Sequence, residues 1–157
     1  MFLNQAALSS VNQNLGKAVA CLTKGIELIE SGRVKFIDGD AEVIPGIRAH
    51  LSADSHTFGS QWLEIETSGG PYIVAGDCVY WYANIERMWP PGYIQGNTWN
   101  LIEAYHDIRG VIGSELSRIV PGHDPLLFER HTSGIDGINQ SAEICLASGD
   151  TSRVRVR

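Results

Sequence analysis

Three short polar segments of this chain carry residue types able to do acid–base or metal chemistry. They are Asp54-Ser55-His56-Thr57-Phe58-Gly59, Gly76-Asp77 and Pro121-Gly122-His123-Asp124. Each directly follows a run that reads as a β-strand: IRAHLS at 47–52, YIVA at 72–75 and RIV at 118–120. Loops at strand ends are where a layered fold gathers its functional groups. Two imidazoles and a carboxylate form a metal-capable set, because neutral histidine nitrogen and carboxylate oxygen both suit zinc. The other candidates read more plainly. Asp124 braces the His123 loop, His50 sits within a strand, and His106 lies on a helix beside Asp107. His131 reads as a surface residue or an outer neighbour of a site, and Cys78 as a small buried residue. The aromatic run Tyr80-Trp81-Tyr82, with Trp89 and Tyr93, follows Asp77 and reads equally as the wall of an acyl-chain pocket or as loop packing.

These groups need strands and helices to hold them. Residues 5–30 place Ala7, Leu8, Val11, Leu15, Val19, Leu22, Ile26 and Ile29 mostly three and four apart, which predicts a packing helix or two shorter ones. From Val34 the period shortens. VKFI, Asp38-Gly39-Asp40 and AEVI predict a hairpin, since Asp-Gly between short apolar runs is a strong turn signal. Pro45-Gly46 marks a second turn. IRAHLS places Ile47, Ala49 and Leu51 on one face. QWLEIET at 61–67 alternates, and PYIVAGD at 71–77 is apolar on both faces, as a central strand would be. Residues 83–98 predict a long irregular segment of the kind that carries function. Asn97 or Thr98 caps a helix reaching Gly110 or Gly113, with Leu101, Ile102, Tyr105, Ile108 and Ile112 as its buried stripe. LSRIV at 116–120 predicts a short strand. The polar tail after residue 132 predicts a short helix near 136–147 and an edge strand at Arg153–Arg157.

Composition bounds the function. At 157 residues the expectation is one domain, and a net charge of −6 argues against a nucleic-acid partner. No apolar run is long enough to span a membrane, and the N-terminus lacks the basic-then-apolar pattern of a signal peptide, so the expected location is cytoplasmic. Cys21, Cys78 and Cys145 are odd in number and far apart, which predicts reduced thiols.

Taken in order, H-T-x-G-S at 56–60, the strand ending in Gly76-Asp77 and V-P-G-H-D at 120–124 resemble the second half of the metallo-β-lactamase superfamily. The branch most similar is the quorum-quenching N-acyl homoserine lactonases. D-G-D-x-E-V-x-P-G-I at 38–47 is similar to the strands that lead into the first motif. The resemblance implies that His56 binds one metal, Asp77 bridges two, and His123 binds the second. It implies that Tyr80, three positions past the bridging aspartate, touches the substrate carbonyl oxygen. Two zinc ions would occupy the complete site, and a metal-bound hydroxide would open a lactone or other ester. Ser55 stands where glycine is usual before the first histidine, and Ala53 and Phe58 replace neighbouring prolines.

The family's H-x-H-x-D-H motif, which supplies most metal ligands, has no counterpart. Histidines occur at 50, 56, 106, 123 and 131, and no two are two residues apart. The expectation is therefore an α/β (α+β) fold that is half of an αββα sandwich: one mostly antiparallel or mixed sheet with flanking helices. Its organisation would be an N-terminal helical segment at 1–33, the half-domain at 34–131 and a tail at 132–157. One sheet face, assigned to Trp62, Leu63, Ile65, Ile73 and Val74, would lack its cover. The expected partners are a small lactone or ester substrate and either a second copy or a complementary N-terminal half. The zinc site would be partial or empty and the chain alone catalytically poor. The alternative is a non-catalytic remnant or interaction module of the same fold. A nuclease of that superfamily is disfavoured by the acidic charge.

Overall fold

The computed structural model describes residues 20–131 except Leu22. The helical expectation for residues 5–19, the tail elements beyond 131 and Cys145 lie outside the described residues. The chain divides between Ile37 and Asp38 into two units. In the first, helical backbone covers residues 20, 21 and 23–30 (α1), and Ile26 and Ile29 of its apolar stripe are exposed. Residues 33–37 then carry no strand.

The second unit is built on five strands: β1 (Ala41–Ile44), β2 (Ile47–Leu51), β3 (Gln61–Ile65), β4 (Tyr72–Gly76) and β5 (Ile119–Pro121). They lie in sequence order across one sheet, antiparallel at the first three pairings and parallel at β4–β5. Helices α2 (Tyr82–Arg87) and α3 (Thr98–Ile112) lie between β4 and β5 in the chain, and α4 (Leu126–Arg130) follows β5. A parallel neighbour cannot be reached by a tight turn, so this crossover is required. Among the described residues no helix is long and apolar enough to cross a membrane.

The hairpin expected at Asp38-Gly39 forms one turn later. β1 pairs with β2 through Pro45-Gly46, and VKFI forms no strand, with Phe36 74% exposed. Asp40 instead braces the first strand pair. Its Oδ1 accepts the Leu51 N–H at 2.7 Å and ties the start of β1 to the end of β2. The irregular segment expected at 83–98 begins instead with α2, whose Tyr82 and Ile85 are buried one turn apart. In α3, Asn97 caps the N-terminus by accepting from the Trp99 N–H at 2.8 Å, and Gly113 is the C-cap. Its buried stripe is Leu101, Ala104, Tyr105, Ile108 and Ile112, while Ile102 is half-buried.

Register assigns the two sheet faces. His50 lies opposite Trp62, and Glu64 opposite Ile73. Side chains alternate along a strand, so Trp62, Ile73 and Ala75 share one face, joined by Ile119 opposite Ile73. That face forms the core with Val79, Tyr82, Ile85, Leu101, Tyr105, Ile108 and Ile112. Ile47, Ala49, Leu63, Ile65, Val74 and Val120 belong to the other face, which contributes only Ala49 to the fully buried apolar set. Trp62 and Ile73 are thus corrected from the open face to the helix-covered one, 2% and 0% exposed. Ile65 and Val74 remain half-buried.

Tyr105 reaches the centre of this core, and its hydroxyl has no hydrogen-bond partner among the described residues. Burial pushes the phenol far above its usual range, so it stays neutral. An unpaired buried hydroxyl costs about 1–3 kcal/mol of desolvation. Tyr105→Phe is expected to leave stability unchanged or raise it by about 1 kcal/mol in urea unfolding. A loss of stability would show that the hydroxyl is satisfied.

Candidate functional site

β2, β4 and β5 run in the same direction, because β2 and β4 are separated by two antiparallel steps and β5 is parallel to β4. Their C-terminal ends therefore meet at one edge of the sheet. The loops leaving those ends carry His56, Asp77 and His123, so three residues remote in sequence converge. His123 Nε2 lies 2.9 Å from Asp77 Oδ1, and His56 Nε2 lies 3.5 Å from Asp77 Oδ2. Each carboxylate oxygen thus faces a different imidazole. The Tyr80 hydroxyl lies 3.3 Å from His56 Nε2, and its ring meets the His123 ring edge-on with centroids 4.6 Å apart. All four residues named from the sequence are at this edge.

Local chemistry explains how each is held. Ser52 and Ser55 are buried, and the Ser52 hydroxyl donates to Ser55 Oγ at 2.7 Å, so serine before His56 is accommodated. Asp54 adopts a left-handed backbone, φ +48°, which aspartate tolerates better than most residues. The segment leading into α3, together with Asn100 in its first turn, clamps this turn. Asn97 N–H donates to Asp54 O at 2.6 Å, Gln95 N–H to His56 O at 2.9 Å, and Asn100 Nδ2 to Ala53 O at 3.0 Å. These clamps were not visible in the sequence, because nothing local pairs residues so far apart in the chain.

Gly76 turns the chain at φ +51° so that Asp77 leaves the end of β4. Gly122 packs against this turn. A Cβ there would meet Gly76 O at 2.7 Å and Asp77 Oδ1 at 3.0 Å. The Gly122 N–H donates to Val79 O at 2.9 Å and the His123 N–H to Tyr80 O at 3.0 Å.

His56 is well covered, its side chain 12% exposed, whereas Asp77 and His123 are about half open to solvent at 49% and 55%. Desolvation raises the Tyr80 phenol above its ordinary pKa, with Asp77 and then Tyr93 adding to the effect. Tyr80 therefore keeps its proton and acts as a hydrogen-bond donor. Beneath the site Cys78 is buried, which raises its thiol pKa and makes it a packing residue.

The remaining candidates separate from the site. His50 stacks on Trp62, ring centroids 3.9 Å apart, and pairs with Glu64 Oε2 at 2.8 Å on the helix-covered face. His106 is exposed on α3. His131 is half-buried, and its Nε2 has no partner among the described residues. Tyr82 belongs to the core, its hydroxyl donating to Ile119 O at 3.0 Å, so it walls no pocket. Trp81, Trp89 and Tyr93 are exposed.

Taken alone, the donors fall short of a metal cage. Each position beside Asp77 offers one imidazole nitrogen and one carboxylate oxygen, and zinc takes about four ligands. Among the described residues no group of three or more His, Cys, Asp or Glu is arranged to hold a metal ion. The spacing of the three is that of a carboxylate between two imidazoles, not of three ligands around one centre. Substituting Gly122→Ala tests the close approach that sets this spacing. The added methyl group is expected to push the Gly122–His123 turn off Asp77, break the Asp77–His123 contact and cost about 1–3 kcal/mol in urea unfolding. Unchanged stability with the contact intact in a crystal structure would refute that account.

No family model matches the sequence, and no curated protein matches it. Solved structures do. An N-acyl homoserine lactone hydrolase, crystallised with N-hexanoyl-L-homoserine at its catalytic metal centre, is 29% identical with a TM-score of 0.48 over 57% of this chain and 35% of that one. A B. thuringiensis AiiA variant with N-decanoyl-L-homoserine at its active site matches over the same shares, at the same identity and TM-score. A probable metal-dependent hydrolase from Staphylococcus aureus is 23% identical with a TM-score of 0.51 over 60% of this chain and 34% of that one. The chain thus spans about a third of the length of these three structures, 34–35%. The chain shares its fold with the Staphylococcus aureus structure over 60% of its length, and its five-stranded mixed sheet with flanking helices is consistent with half of a metallo-β-lactamase sandwich.

Proposed function

We propose that this chain contributes half of the metal site, and the substrate-facing tyrosine, of a metal-dependent hydrolase that opens lactones or related esters. The observation that carries the reading is the placement of Asp77, with one carboxylate oxygen toward His123 at 2.9 Å and the other toward His56 at 3.5 Å. With the missing ligands supplied, Asp77, His56 and His123 would be this chain's residues that hold the metal, which would supply Lewis-acid chemistry there. Neutral imidazole and carboxylate suit zinc, and manganese, iron or cobalt would bind the same donors. Tyr80, protonated and beside both imidazoles, is placed to donate a hydrogen bond to a carbonyl oxygen that gains charge. The missing ligands would come from a complementary half bearing H-x-H-x-D-H. Such a half would also cover the face that holds Ile47, Leu63, Ile65, Val74 and Val120, whose exposed part costs about 25 cal/mol per Å².

A second reading, a non-catalytic module of the same fold, is favoured by the two-donor count at each position. One experiment separates the two readings. Metal content is measured by mass spectrometry, and hydrolysis of an N-acyl homoserine lactone is followed. Both are done on the purified chain alone and after addition of a polypeptide carrying the H-x-H-x-D-H half of a related hydrolase. The expected result is substoichiometric metal and no hydrolysis alone, with metal retention and ring opening after addition. Stoichiometric tight metal binding with hydrolysis by the chain alone would overturn the half-site reading. Absence of metal uptake in both states would establish the non-catalytic one.

A further inference from the structure

Asp124 is a carboxylate only 8% exposed, and among the described residues it is paired with no lysine, arginine or histidine. Burial of an unpaired charge is costly unless hydrogen bonds replace its hydration. Both oxygens are in fact engaged by backbone. Oδ2 accepts the Tyr82 N–H at 2.8 Å, and Oδ1 accepts the Leu126 N–H at 2.9 Å. These are the first residues of α2 and α4, whose N–H groups have no acceptor within their own helices.

The position of these bonds matters. The β4–β5 ladder ends at Gly76 opposite Pro121, after a register shift. Beyond it the two chains stay together by a short zipper. Gly122 N–H donates to Val79 O at 2.9 Å, His123 N–H to Tyr80 O at 3.0 Å, and Tyr82 N–H to Asp124 Oδ2 at 2.8 Å. Asp124 closes that zipper one residue past His123, two residues past Tyr80 on the opposite strand of chain. Without it the segments have only two backbone bonds to hold the Tyr80 and His123 rings edge to edge.

We infer that Asp124 is the positioning residue of this site: its buried carboxylate sets His123 against Asp77 and Tyr80 by joining the starts of α2 and α4. Its bearing on catalysis rests on the function proposed above, whereas the geometric role is tested without metal or substrate. The test is NMR of the purified chain at fixed pH, comparing wild type with D124A and D124N. Wild type is expected to show nuclear Overhauser contacts between the Tyr80 and His123 rings and a His123 Nε2 signal shifted by its hydrogen bond to Asp77. D124A is expected to lose those contacts and return His123 Nε2 to the free-imidazole position. The ring-current shifts of the His50–Trp62 stack, on β2 and β3 and away from the β4–β5 zipper, should stay in place. D124N keeps one carbonyl acceptor but turns an amide N–H toward the second donor, so it is expected to weaken the same contacts with the fold intact. D124N also decides the matter if D124A does not fold. Retention of the Tyr80–His123 contacts and of the His123 signal in a folded variant would overturn the inference. So would an equal disturbance of the His50–Trp62 stack, which would mark a general structural role.

Discussion

The parallel pairing of β4 with β5 is the constraint on which the site depends. Two antiparallel steps carry β2 to β4 and leave them pointing the same way. Had β5 joined antiparallel, its C-terminal end would lie at the opposite edge of the sheet, and His123 would be a strand length away from Asp77. Parallel pairing places the ends of β2, β4 and β5 side by side. It also demands a long return path, and α3 fills that path. The same crossover lays Leu101, Tyr105, Ile108 and Ile112 over Trp62, Ile73 and Ile119. One topological choice therefore assembles the polar edge and closes the apolar core.

The sheet has two unlike faces as a result. The helix side holds the apolar core, and its histidine is taken up at the edge of that core: His50 stacks on Trp62 and turns its nitrogens to Glu64 and Asp40. The other side contributes small and branched apolar residues that are only partly covered. The site lies at the rim between these regions, on turns fixed by backbone hydrogen bonds. Fixed turns allow an exposed carboxylate such as Asp77 to keep a defined relation to two imidazoles, because side-chain entropy is the only freedom left to lose.

Much of the site was legible in the sequence, and the reason is local. His56, Asp77, Tyr80 and His123 each stand in a short motif directly after an apolar strand, so motif and element point to one place. α3 was legible in the same way, since a full apolar stripe, an Asn97 cap and a Gly113 stop all agree. Alternation along β3 was also plain, yet its phase was not. Period two separates Trp62 from Leu63 without saying which faces the helices, and only the register with β2 and β4 decides it. The Asp-Gly turn at 38–39 misled for a related reason: a strong local turn signal has no effect when the flanking run finds no partner strand. α2 escaped because six residues make fewer than two turns, and Tyr82 reads as part of an aromatic loop until it is seen inside the core. The hydrogen bonds of Asp124, Asn97 and Asn100 are tertiary and leave no trace in spacing.

The crossover has a bearing on the order in which the molecule is made. β1 through β4 join by neighbouring turns, so their pairings can form early, with short loops to close. β5 is synthesised after α3, and it must find β4 across residues 77–118. His123 is therefore the last of the three to be synthesised. A ribosome-bound chain that stops short of β5 would carry most of the sheet and none of the completed constellation.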